Sequence, residues 1–206
     1  MKKLIAILLT LIMALSLLTA CGQPEGTGSG NGENDSDNNK INAEAPLIQW
    51  LLGGTCSFDG TVSMLGYEVS LSVAIDGDMQ ATAIEGMVAG INITQRSIIR
   101  DGIRYNISDI NKTISETPQE PGDKSGFFIT EKVGEGTGEV NGKELPYVDY
   151  STARGDILRL YLENKAVYAI ETELYGDTAV IIINKTAGSV PAGVFDPPAG
   201  YTQVDP

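Results

Sequence analysis

Histidine is absent from the 206-residue chain, cysteine occurs twice, tryptophan once, and 14 basic side chains face 27 acidic ones. Each shortage removes a class of chemistry. Without histidine there is no imidazole general base, no Ser-His or Cys-His nucleophile pair, and no imidazole ligand for zinc. The formal net charge of −13 repels nucleic-acid phosphates and anionic headgroups. Nucleic acid is therefore not expected as a partner, nor is a membrane held by a basic patch. The glycine-rich run GEGTGEVNG, residues 134–142, lacks the lysine and the following helix of a phosphate-binding loop. These absences predict a protein that is not an enzyme and holds no cofactor and no metal.

The start of the chain is informative. Met1-Lys2-Lys3 precedes a run from Leu4 to Leu18 that is apolar except for Thr10 and Ser16. That run is short of the roughly 20 apolar residues an ordinary spanning helix needs. A basic beginning, a short apolar run and then small residues make a secretory signal peptide. The next residues, Leu18-Thr19-Ala20-Cys21, resemble the lipobox of bacterial lipoproteins. The resemblance implies lipidation of the Cys21 thiol with a palmitate-type diacylglyceryl group, cleavage before Cys21, and an anchor in the cell membrane on its extracytoplasmic face. Two or three acyl chains hold durably where one is marginal, since each buried CH₂ contributes about 0.8 kcal/mol. Removing residues 1–20 takes away Lys2 and Lys3 and no acid, so −13 becomes −15.

Residues 21–44 are rich in Gly, Asn, Ser and acids and nearly devoid of apolar side chains. Such a stretch cannot offset the entropy of ordering, and it predicts a disordered tether with a span of roughly 25 Å. The folded domain is expected over 45–206, long enough for one core. Pro46 to Leu52, closed by Gly53-Gly54, predicts a short N-terminal helix, with Trp50 as a core anchor.

From Thr55 the period is two. Phe58, Gly60, Val62 and Met64 alternate with polar residues, as do Tyr67, Val69, Leu71, Val73 and Ile75. This is the pattern of an antiparallel sheet with one wet face. Further strands are predicted over 79–85, 92–100, 103–107, 111–116, 127–133, 145–152, 156–163, 166–174 and 179–185, with turns at Asp76-Gly77-Asp78, Asp101-Gly102, Asn141-Gly142 and Glu163-Asn164-Lys165. Residues 117–126 and 134–144 read as polar, acidic loops. The fold class is mostly β: a single antiparallel sheet of about eleven strands that must curl to cover a face.

Candidate chemistry is sparse. With Cys21 committed to the anchor, Cys56 has no disulfide partner and is expected to be a small buried hydrophobe. Glu171 and Glu173 share one side of a strand, with Asp149 on another. Paired carboxylates can do acid–base work, but in so acidic a chain a solvated strand face is the plainer expectation. Asn92, Asn106, Asn111 and Asn184 each begin an Asn-x-Ser/Thr triplet, read as strand and turn composition.

The C-terminal part, DILRLYLENKAVYAIETELYGDTAVIIINKTAGSVPAGVFDPPAGYTQV, closes on Val190-Pro191 and Phe195-Asp196-Pro197-Pro198-Ala199-Gly200-Tyr201. With FDGTVSMLGYEVSLSVAIDGDMQATAIEG and the IIRDGIRYNI hairpin, it resembles the LolA/LppX superfamily of lipoprotein carriers and their relatives over about residues 45–204. The resemblance implies a half-open antiparallel barrel whose apolar cavity binds acyl chains. It also implies that the Pro-Pro-Ala-Gly-Tyr tail folds back to close one end of the sheet. The mid-chain lid helices of the carriers have no counterpart in the short, polar 117–126 segment.

The candidate lining of such a cavity is Val62, Met64, Val69, Leu71, Val73, Met79, Ile93, Ile103, Tyr105, Leu158, Leu160, Ile170, Ile181 and Ile183. Two functions are in view. One is a membrane-anchored module binding a lipid or other amphiphile. The other is a structural or interaction lipoprotein displaying a β-surface in the cell envelope without a ligand. The tether and acidity suit the outer surface of a Gram-positive cell.

Overall fold

Period-two alternation becomes one sheet. The computed structural model describes residues 54–119, 129–152, 155–174 and 177–206. The strands are β1 (Cys56–Met64), β2 (Tyr67–Asp76), β3 (Met79–Val88), β4 (Ile91–Arg100), β5 (Ile103–Ser108), β6 (Thr113–Pro118), β7 (Ile129–Val140), β8 (Lys143–Thr152), β9 (Ile157–Glu163), β10 (Ala166–Leu174), β11 (Asp177–Ala187) and β12 (Thr202–Val204). The expected signal peptide (1–20), the expected tether (21–44) and the predicted helix over 46–52 lie outside the described residues, as does most of the expected 117–126 loop.

The order across the sheet is β12-β6-β5-β4-β3-β2-β1-β11-β10-β9-β8-β7. Two antiparallel meanders, β1–β6 and β7–β11, meet where β1 pairs with β11. The end strands do not pair with each other, so the sheet is a half-open barrel. Eleven antiparallel strands agree with the expected count. The twelfth corrects it: Thr202–Val204 pairs parallel with Thr113–Ser115 of β6.

Tight turns set the register. Asp101-Gly102 and Asn141-Gly142 both hold positive φ at two successive residues (54° and 73°, 49° and 71°). That is the backbone of the two-residue hairpin turn whose twist matches the strands. A further such turn at Ala89-Gly90 adds to the expected set, so β3 and β4 are longer than the pattern predicts.

The 134–144 stretch is also a correction, since it is strand through Val140 rather than loop. Its glycines fall on alternate positions, so they share one side. Gly136 and Gly138 sit directly against the ring of Tyr147 from β8, where an added Cβ would lie 2.7 Å and 3.4 Å from Tyr147 atoms. The ring replaces the side chains that glycine lacks, which restores the burial a bare strand forfeits.

The main core runs along one face. Cys56, Phe58, Val62, Leu71, Ile75, Leu158, Leu160, Ile170 and Ile181 are all buried there. A second cluster on the opposite face joins Ala74, Ala81, Ile98, Ile107 and Ile114 to Phe195 of the tail. The tail crosses this face, Tyr201 donates a hydrogen bond to Asp109, and β12 then covers the β6 end of the sheet.

Gly60, on central β1, has no room for a side chain: an added Cβ would lie 2.8 Å from the Ile182 carbonyl oxygen. Overpacking of this kind costs about 1–3 kcal/mol. Gly60→Ala should therefore lower the urea midpoint without changing the slope, whereas Gly188→Ala, which meets nothing within 4 Å, should leave the midpoint in place.

Candidate functional site

The strand register assembles the candidate lining residues into rows. Ile93 pairs with Gly86, Gly86 with Val69 and Val69 with Val62. Val62 pairs with Ile181, Ile181 with Ile170, Ile170 with Leu160 and Leu160 with Val148. Directly opposed residues of neighbouring strands point to the same face. One charge-free row therefore crosses eight strands, a path of roughly 34 Å at about 4.8 Å per strand. Leu71 and Ile183 flank it through Gly60. Val73 and Leu158 belong to the same buried cluster, and Val69 and Ile183 are partly buried against it. Met64 ends β1 opposite Tyr67, and its side chain lies outside the described part.

Three candidates are not brought together with these. Tyr105 pairs with Ile98, and Ile98 with Ala81, which puts Tyr105 on the opposite face. There Tyr105 and Met79 pack on the Phe195 cluster. Ile103 pairs with Arg100 and Pro118 and shares the face of Tyr105 by alternation. The physical cause is register. A two-residue turn places Met79 opposite Asp76, and Asp76 belongs to the polar side of β2. The hairpin turn signal is present in the sequence and carries this information.

Sequence reasoning missed the cation at the centre of the main polar constellation. Asp149, Arg159 and Glu171 are directly opposed across β8, β9 and β10. The Arg159 guanidinium donates to both Asp149 carboxylate oxygens at 2.8 and 3.1 Å and lies 3.5 Å from Glu171. Its plane rests over the Tyr147 ring, 3.9 Å from the centroid, and Tyr161 donates to Glu171 at 3.2 Å. The hydrogen bond to Asp149 is the largest influence holding Arg159 more firmly protonated than usual. Carboxylates shared with a guanidinium are acceptors in an ion-pair network, and this arrangement supports structure more directly than proton transfer. The cue was a strand position, since Arg159 is the one base among the polar residues of β9.

Cys56 is 1% exposed. Burial pushes its thiol up from 9.0 to about 11, the environment of an inert thiol rather than a nucleophile. Among the described residues no group of three or more acidic or cysteine side chains could hold a metal ion, and no helix is long and apolar enough to cross a membrane.

No family model matches the chain, and no curated protein matches it. Solved structures do. The chain is similar to an uncharacterized conserved protein from Thermus thermophilus, with 11% identity and a TM-score of 0.48 over 77% of this chain and 94% of that one. It is similar to a LolA superfamily protein from Nitrosomonas europaea, with 9% identity and a TM-score of 0.39 over 72% and 97%. It is also similar to LprF from Mycobacterium bovis, with 12% identity and a TM-score of 0.36 over 71% and 96%. None of these likenesses brings a ligand to this chain.

Two outcomes are expected. Arg159→Gln should leave Asp149 and Glu171 without their shared cation and lower stability at pH 7 by about 1–2 kcal/mol, read by chemical denaturation; an unchanged midpoint would remove the network from the fold's supports. The thiol of Cys56 should resist alkylation at pH 8 except through unfolding, as followed by mass tagging. Below pH 9 the thiol is neutral in both folded and unfolded chains. Between about 9 and 11 only the unfolded chain ionises, so stability should fall as pH rises through that window.

Proposed function

We propose that this chain is an extracytoplasmic lipoprotein, anchored through Cys21, whose half-barrel binds a lipid or other amphiphile along its apolar face. In this reading residues 1–20 are the signal peptide, 21–44 the tether and 45–206 the binding domain, and the protein is not an enzyme. The observation that carries it is the eight-strand, charge-free row from Ile93 to Val148. A ligand met along such a row is held by dispersion and by apolar burial, at about 25 cal/mol per Å², and needs few polar contacts. Anchoring would place the face beside the bilayer that supplies amphiphiles.

A ligand-free β-surface is the second reading. It is favoured by the burial of Leu160, Ile170 and Ile181 to 2% exposure or less, as a packed core requires. Native mass spectrometry and solvent extraction of the full chain separate the two. A co-purifying amphiphile that is lost in Val69→Asp, a substitution placing a carboxylate in the row, is the result expected of binding. Its absence from the unaltered chain would leave only the second reading. For the anchor, Cys21→Ala should abolish incorporation of labelled palmitate and shift the protein from the membrane fraction to the medium.

A further inference from the structure

A cavity of about 360 Å³ lies on the opposite face, away from the apolar row, between the sheet and the C-terminal segment. That volume falls within the roughly 300–1,000 Å³ of small-molecule sites. Its floor follows from two rows of the register. Ala187, Ser57, Ala74, Ala81 and Ile98 are successively opposed, and Lys185, Asp59, Ser72, Ala83 and Arg96 form the next row. Small side chains occupy the centre of both rows, so the floor is low where the strands are flanked by larger groups.

The roof is Ser189, Val190, Pro191 and Val194. It is pinned at one end by Ser57 Oγ donating to the Ser189 carbonyl at 2.8 Å. At the other it is held by the Arg100–Asp196 ion pair at 2.7 Å and by Phe195 in the cluster beneath.

The charges are placed unequally. Arg96 is engaged with Asp109 at 3.3 Å, and Asp59 accepts from Ser72 at 2.8 Å. Lys185 has no ion pair among the described residues and lines the cavity. Arg96 is thus balanced by Asp109, and Lys185, which faces Asp59 across the strand pair, is the cavity's cation without an ion pair among the described residues, in a space lined by hydroxyl, small and aliphatic side chains. An ammonium with no ion pair, set among hydroxyl groups, offers hydrogen-bond donors to an anion on a protein whose net charge of −13 repels anions from most of its surface.

We propose that this cavity is a binding site for a small amphiphile bearing one anionic group, of the alkyl-carboxylate class. The anion meets Lys185, and the alkyl chain lies over Ala74 and Ala81 beneath Val190 and Val194. The site is separate from the apolar row and stands whether or not that row binds a ligand.

Calorimetric titration of the full chain with octanoate tests it, with octyltrimethylammonium as the cation of matched length. Octanoate should bind saturably at one site, and the cation should not. Lys185→Gln should weaken octanoate by about tenfold, and Ala83→Leu, which fills the floor, should abolish binding. Both variants should keep the circular dichroism and unfolding midpoint of the parent. Val69→Asp, on the other face, should retain octanoate binding, which separates this site from the row. Absence of saturable octanoate binding overturns the proposal. So does unchanged binding in both Lys185→Gln and Ala83→Leu, or equal affinity for the cation.

Discussion

The pairing of β1 with β11 is the interaction on which the rest depends. Each meander is built from neighbours in sequence, but the two are held in one sheet by strands more than a hundred residues apart. Such a contact forms only after a long loop has closed. It also contains an irregularity with consequences on both faces. Ile181, Ile183 and Lys185 alternate in sequence and would share a face in a regular strand. The register shift between Asp59 and Gly60 sets Asp59 against Lys185 but Gly60 against Ile183. One extra residue in β11 thus leaves the isoleucines in the apolar core and moves the lysine to the opposite face. The missing Cβ of Gly60 permits the close approach of the Ile182 carbonyl that goes with it.

A single sheet with apolar residues on both faces needs two covers. One face carries the continuous core from Ile84 on β3 to Ile129 on β7. The other is divided. Its β2–β6 part is roofed by the tail through Phe195, Val190, Val194 and Tyr201. Its β7–β11 part supports itself, with Val140, Tyr161 and Ala169 packed beside Tyr147 and Tyr168. The Arg159 network sits on that half. Ionic and aromatic contacts thus carry the region that the tail does not reach.

Much of this is legible in the sequence. Alternation yields the strand count, and Asp101-Gly102 and Asn141-Gly142 mark their hairpins, because a two-residue turn with positive φ demands those residue types. The burial of Cys56 follows from its place at the start of an apolar strand. What is not legible depends on partners distant in the chain. Glycines 134, 136 and 138 read as loop because their local preference is against strand, and the side chains of β8 override it, Asp149 at Gly134 and the ring of Tyr147 at Gly136 and Gly138. Met79, Ile103 and Tyr105 group with the apolar row in sequence because hydrophobicity marks burial but not which face is buried. The parallel β12 rests on three exposed residues with no pattern of their own, and the β11 bulge has no signature short of the pairing itself.

The order of strands leaves the sheet with unlike ends. At one, three residues of β12 shield β6; at the other, the twelve-residue β7 has a partner on one side only among the described residues. An edge of that length is a template on which a second copy could continue the sheet. Glu131, Glu135 and Glu139 are exposed along it. An antiparallel copy centred on Glu135 would set that residue against itself and Glu131 against Glu139, and like charges directly opposed are destabilising. Two register shifts, between Ile129 and Glu131 and between Lys132 and Gly134, add to this by breaking the regularity of the edge.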